Sequence, residues 1–162
     1  MVDLRDFLAR EGVDAQLIEL QVPMKTADAA AQQLGIPVGG IFKSLVLRTD
    51  TGEVLVAVLP GDKRVDFKAV ARVAGCAKVA FASEELALQE TGYPPGGTPP
   101  LGYPKPLRVI LDEAVLQYPE GYGGGGRPEL LLRIRPQELL RVTKGTLGCV
   151  SRSFPPARIR TP

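Results

Sequence analysis

The alternation of apolar and polar positions divides the chain into short elements of two kinds. Residues 3–10 (DLRDFLAR) place Leu4, Phe7 and Leu8 on one helical face, and Gly12 ends the run. Residues 15–20 read as a short strand. Thr26 is an N-cap for a second helix, TADAAAQQLG, which stops at Gly35 and Pro37. Two strands follow, over residues 41–48 and 53–59, joined by the hairpin signal Asp50-Thr51-Gly52. Residues 54–59 are apolar at every position, so both faces of that strand should be covered. Asp66 and Ser83 cap two more helices, the first running to Ala74 before Gly75 and the second covering 84–90. Residues 107–111 read as a buried strand ending at Asp112, and residues 129–134 as another. Pro136 opens a last helix that runs to Val142.

Strands and helices mix without a strict βαβ rhythm. The expected fold is α/β (α+β): a single domain with a curved mixed β-sheet, or partial barrel, flanked by helices. The domain should occupy residues 1–150, with a basic and poorly ordered tail over residues 151–162.

Three features stand outside this pattern. In residues 91–106, TGYPPGGTPPLGYPKP, ten of sixteen residues are Gly or Pro. A structureless stretch of that length within a compact domain is usually functional or disordered. The prolines stiffen it, and the pair Gly96-Gly97 leaves backbone groups open to close approach. Such a loop suits a small ligand; a surface spacer is the alternative. The run at residues 121–126, GYGGGG, reads as a second glycine-rich turn. It is no dinucleotide fingerprint, because it opens no helix. The third feature is Lys43, in VGGIFKSLVLRT, a cation within an otherwise apolar strand. Either it snorkels from a strand end or it points into a pocket built on the sheet. GGIFKS is not a phosphate loop, since Phe42 stands where glycine is required.

Composition narrows the chemistry. The 162 residues suit one domain, with 44% hydrophobic and 23% charged residues. There is no histidine, which removes Ser-His-Asp and Cys-His nucleophile pairs and most zinc sites. The two cysteines form no metal or disulfide pattern. The first residues lack a signal-peptide pattern, and the longest apolar run is too short to span a membrane. The expectations are therefore a cytoplasmic location, no membrane partner, no metal and no cofactor. The net charge of +2 is uneven: residues 1–30 carry three basic and six acidic residues, residues 133–162 seven basic and one acidic. An anionic partner near the C-terminal end, or merely a solvated basic tail, accounts for that asymmetry.

Taken in order, the segments TADAAAQQLGIPVGGIFKSLVL, AVLPGDKRVDFKAVARVAG, TGYPPGGTPPLG, RVILDEAVL and GGGGRPELLLRIRPQELLRV resemble the YbaK and prolyl-tRNA synthetase-associated domain family. That family edits mischarged aminoacyl-tRNA. The resemblance covers roughly residues 15–145. It implies a trans-acting deacylase that hydrolyses the ester of a mischarged tRNA, tRNA-Pro carrying alanine or cysteine being the leading expectation. The tRNA acceptor end, and an aminoacyl-tRNA synthetase, are the implied partners. It further implies that Lys43, Gly97 and Thr98 are catalytic. Thr26, Gly96, Pro99, Pro100, Gly102, Asp112 and Gly124 are the implied substrate-binding residues. Some branches carry a histidine near Gly124; this chain has none. The family's use of the substrate's own hydroxyl or thiol would explain why no protein base is apparent. Two rivals stand beside this reading. One is a non-catalytic tRNA- or aminoacyl-ligand-binding module of the same fold. The other is a protein-interaction domain that uses exposed Tyr93 and Tyr103 on the Gly/Pro loop.

Overall fold

A computed structural model of the chain describes residues 3–23 and 25–155. Five helices surround a mixed sheet. The helices are α1 (Leu4–Arg10), α2 (Ala27–Leu34), α3 (Phe67–Ala74), α4 (Glu84–Thr91) and α5 (Pro136–Thr143). Their ends follow the local chemistry. Thr26 Oγ1 accepts from Ala29 N at 3.0 Å, Asp66 Oδ1 from Ala69 N at 3.1 Å and Ser83 Oγ from Leu86 N at 3.1 Å. Gly35 and Gly75 close α2 and α3 in the left-handed conformation, with φ of 66° and 78°.

The main strands are β1 (Ala15–Glu19), β2 (Phe42–Thr49), β3 (Val54–Pro60), β6 (Arg108–Asp112), β7 (Gly121–Gly124) and β8 (Leu130–Ile134). Four three-residue strands escape the sequence pattern: β4 (Lys63–Val65), β5 (Val79–Phe81), β9 (Thr146–Gly148) and β10 (Ser151–Ser153). Each is too short to show alternation, and each forms only by pairing with a partner distant in sequence.

One sheet has the order β5-β2-β3-β6-β9, antiparallel across β5, β2 and β3 and parallel across β3, β6 and β9. A second, β1-β8-β7, is antiparallel. A bridge between Ile41 and Tyr122 joins β7 to the start of β2, so the two sheets curl into a partial barrel. The expected curved mixed sheet is thus observed. Strand β3 lies at its centre and is buried throughout, as its unbroken apolar run requires. Val56 and Val58 face one core, with Leu111, Leu132, Ile134 and Leu139. Leu55, Ala57 and Leu59 face another, beneath α3.

Two expectations are corrected here. Residues 121–124 form a strand rather than a turn. Glycine has little strand propensity, but here β8 pairs with the segment and large neighbours press on it. A Cβ at Gly121 would lie 2.1 Å from the Phe42 ring, and one at Gly124 would lie 2.3 Å from the Thr98 carbonyl oxygen. The expected tail from residue 151 begins instead with β10, paired antiparallel with β4. Asp112, only 2% exposed, anchors it by accepting from Val150 N at 2.9 Å and from Ser151 Oγ at 2.7 Å. The tail beyond residue 155 lies outside the described residues.

Candidate active site

Strand β2 carries the site because one of its edges is left unfinished. β3 covers one edge along residues 42–48. On the other edge β5 covers only Leu47, Arg48 and Thr49, with one further bond from Ala82 N to Val46 O at 3.0 Å. Beyond that point the sheet opens into a cleft of about 330 Å³. Its floor is the start of β2, including Phe42, Lys43 and Ser44. Its walls are the N-terminal end of α2, with Lys25 and Thr26, and the facing loop residues Gly96, Thr98 and Gly124.

The Gly/Pro loop is held as a rigid wall. Tyr93 Oη donates to Gly102 O at 2.7 Å, and Tyr103 Oη donates to Pro99 O at 2.7 Å. Burial pushes the Tyr93 phenol up to about 12, so it remains a donor at physiological pH. Gly126 N donates to Gly97 O at 2.8 Å, which ties the two glycine-rich segments together. Neither tyrosine presents the exposed ring that an interaction loop would need: Tyr93 is buried and Tyr103 half-buried, with its hydroxyl committed to the loop.

Lys43 is half-buried, and its ammonium donates to Lys63 O. It also sits 5.4 Å from the centre of the Phe154 ring, a cation–π contact. Burial pulls its pKa below the ordinary lysine value, while the negative charges of Asp62 and Asp28 pull the other way. Among the described residues it forms no ion pair. The positive charge is thus recessed but not neutralised.

Of the ten residues singled out from sequence, five converge on the cleft: Thr26, Lys43, Gly96, Thr98 and Gly124. The other five do not line it. Gly97 is buried against the Arg127 backbone, and its amide points to Pro94 O at 3.4 Å. Pro99 and Pro100 are buried behind the wall, Pro100 against β7. Gly102 serves loop packing, since a Cβ there would meet Leu4 at 2.7 Å. Asp112 spends both carboxylate oxygens on the β10 turn.

Sequence reasoning missed Lys25, Ile41, Phe42 and Ser44, which also line the cleft. Lys25 had a signal, a cation beside a helix cap. Ser44 had none: its hydroxyl is buried and has no hydrogen-bond partner. It also missed Gly61 of the PGD turn, where a Cβ would meet Val38 O at 2.5 Å and Ile41 O at 2.9 Å. That close contact sets the turn leading into β2.

A single α/β domain with a recessed cation and glycine-backed walls at an open sheet edge is built to hold a small polar ligand with its backbone. The model of the aminoacyl-tRNA editing domain matches residues 21–142. The chain belongs to the aminoacyl-tRNA editing domain family, whose members are hydrolases of aminoacyl-tRNA, and the resemblance read from the sequence is borne out. A relative from Enterococcus faecalis, named "Putative Cys-tRNA(Pro)/Cys-tRNA(Cys) deacylase EbsC", is 32% identical over 120 residues, covering 74% of this chain and 73% of its own length. A proline–tRNA ligase of Cupriavidus necator is 33% identical over 103 residues, covering 61% of this chain but 18% of the ligase. A solved structure described as "a putative trans-editing enzyme for prolyl tRNA synthetase" superposes with a TM-score of 0.85 at 34% identity, covering 93% of this chain and 95% of that one. The structure of a hypothetical protein gives 0.87 at 33% identity, covering 92% and 99%.

Proposed function

We propose that the chain acts in trans on a mischarged tRNA, tRNA-Pro carrying a small amino acid such as alanine or cysteine, and hydrolyses the ester to the terminal ribose. The observation that carries this reading is the convergence of Lys43, Thr26, Gly96, Thr98 and Gly124 on one cleft. Its volume of about 330 Å³ is at the small end for ligand sites. The relative's name supports cysteine as a substrate.

Water attacks the ester carbonyl carbon and an oxyanion forms. The ribose oxygen then leaves and takes up the proton given by the water, so that free amino acid and intact tRNA result. An aminoacyl ester is already activated, so orientation and charge stabilisation supply most of what is needed. Lys43 holds a carbonyl or phosphate oxygen of the 3′ end. The amides of Gly96 and Thr98 take the oxyanion role, in place of Gly97, whose amide faces its own loop. Thr26 Oγ1 accepts from Ala29 N, so its hydroxyl proton remains free to donate into the cleft. The rigid wall rejects larger amino acids by sterics. Selection by size is needed because one methylene is worth only about 1–3 kcal/mol to a synthetase pocket.

The test is deacylation of a panel of mischarged tRNAs by wild type and by Lys43→Ala. Turnover of one or two members is expected, with a loss of about 10²–10³-fold in the variant, the cost of one oxyanion donor. Binding without turnover across the panel would leave the chain a non-catalytic tRNA-binding module.

A further inference from the structure

Lys43 and Leu45 also line a second, larger groove of about 570 Å³ on the side of β2 facing α3. Three exposed cations meet there from three elements: Arg64 of β4, Lys68 of α3 and Arg152 of β10. None of them is ion-paired among the described residues. The one carboxylate in the lining, Asp66, is engaged in capping α3.

The register sharpens this concentration of charge. Arg64 and Arg152 are direct partners across the antiparallel β4–β10 pair. Like charges directly opposite each other destabilise a strand pair, and this ribbon is only three residue pairs long. An anion between the two guanidiniums would turn that repulsion into binding energy, through the fork geometry that suits phosphate.

Aromatic rings border the cations. Phe81 is 59% exposed and rests edge-on against Phe67, with centroids 5.1 Å apart. Phe154, 55% exposed, lies beside the Lys43 ammonium. Cations along a groove with open aromatic faces form the combination that grips single-stranded nucleic acid, the cations on phosphates and the rings on bases.

We propose that this groove binds the phosphodiester backbone of the single-stranded 3′ end of the tRNA, just before the nucleotide whose ester lies in the cleft. Arg64 and Arg152 share a phosphate, Lys68 takes another, and Phe81 offers a stacking face. The inference rests on the aminoacyl-tRNA reading of the cleft. Lys43, common to both cavities, marks where the strand passes from groove to cleft.

The test is fluorescence anisotropy with a labelled single-stranded RNA of about eight nucleotides, within the span one such groove covers, titrated at several salt concentrations. It compares wild type with Arg64→Gln/Arg152→Gln and, separately, Lys68→Gln, with thermal midpoints confirming that each variant folds. The double variant should bind about tenfold more weakly, and its log–log salt slope should fall by about 1.4, at roughly 0.7 per lost phosphate contact. Unchanged affinity and slope in both variants would overturn the groove. So would displacement of the RNA by polyglutamate at equal charge concentration, which would mark an acidic-protein site. The two readings fail separately. Arginine-dependent RNA binding without deacylation keeps the groove and ends the editing reading. Deacylation by a wild type whose RNA binding ignores these residues does the reverse.

Discussion

Two recessed charges in this molecule are treated in opposite ways. Glu138, on α5, is 8% exposed and fully satisfied. Arg141 donates to both its oxygens, at 2.6 and 3.0 Å, and Asp14 N donates to Oε2 at 2.6 Å. Those bonds hold its carboxyl down to about 2. Lys43 has one backbone carbonyl and one aromatic face, with its nearest carboxylates attracting it from a distance. A charge with every partner supplied from within is structural, because it has nothing left to offer a ligand. A charge that is recessed and left short of partners costs stability and is available for substrate.

Lys43→Met should separate the two roles most sharply. Deacylation should fall by about 10²–10³-fold. The thermal midpoint at neutral pH should hold or rise, since a partly desolvated ammonium is replaced by an apolar chain of similar length. The sign is fixed by the direction of the shift. A lysine whose pKa is lowered on folding destabilises the fold while it is charged, and that cost fades as pH rises through the lowered value. Activity that needs the ammonium should decline along the same alkaline limb, below the ordinary lysine range. A Lys43→Met midpoint well below wild type would place Lys43 with Glu138 as a structural charge.

Gly124→Ala is expected next in size. Its new Cβ would lie 2.3 Å from Thr98 O, so the wall must shift. A displacement near 1 Å at the site is worth about 10²-fold in rate. Retention of full deacylation would mean that Gly124 and Thr98 do not frame the reacting ester.

The smallest effect belongs to the satisfied charge. Glu138→Gln should lower unfolding stability at pH 7 by about 2 kcal/mol, the range for hydrogen bonds to a charged group, without touching turnover. A carboxylate depressed on folding stabilises above its unfolded pKa, and that contribution is lost as pH falls towards about 2. Urea titrations of the two proteins should therefore converge between pH 4.5 and about 2. A constant gap across that range would assign the effect to packing.

The sequence was more informative about elements than about neighbours. Caps at Thr26, Asp66 and Ser83, stops at Gly35 and Gly75 and the all-apolar β3 were legible because each depends on residues within a few positions of one another. The resemblance placed Lys43 and the Gly/Pro loop in one site, and five of the ten residues do meet there. Gly97, Gly102 and Asp112 were misplaced because motif order identifies a segment, not the direction in which each group points. Gly97 turns its amide inward, and Asp112 turns its carboxylate towards β10.

By itself, the sequence determined the α/β class, most helix ends, the central buried strand, the family and the cation at its site. These follow from local backbone preference, hydrophobic period and the order of motifs. Only the tertiary structure decided that residues 121–124 are a strand, that β2 is left open beside Lys43, and that Arg64 faces Arg152. Each of these is a pairing between segments far apart in the chain. Such contacts are settled by which surfaces fit once the core has closed, and no local pattern records them.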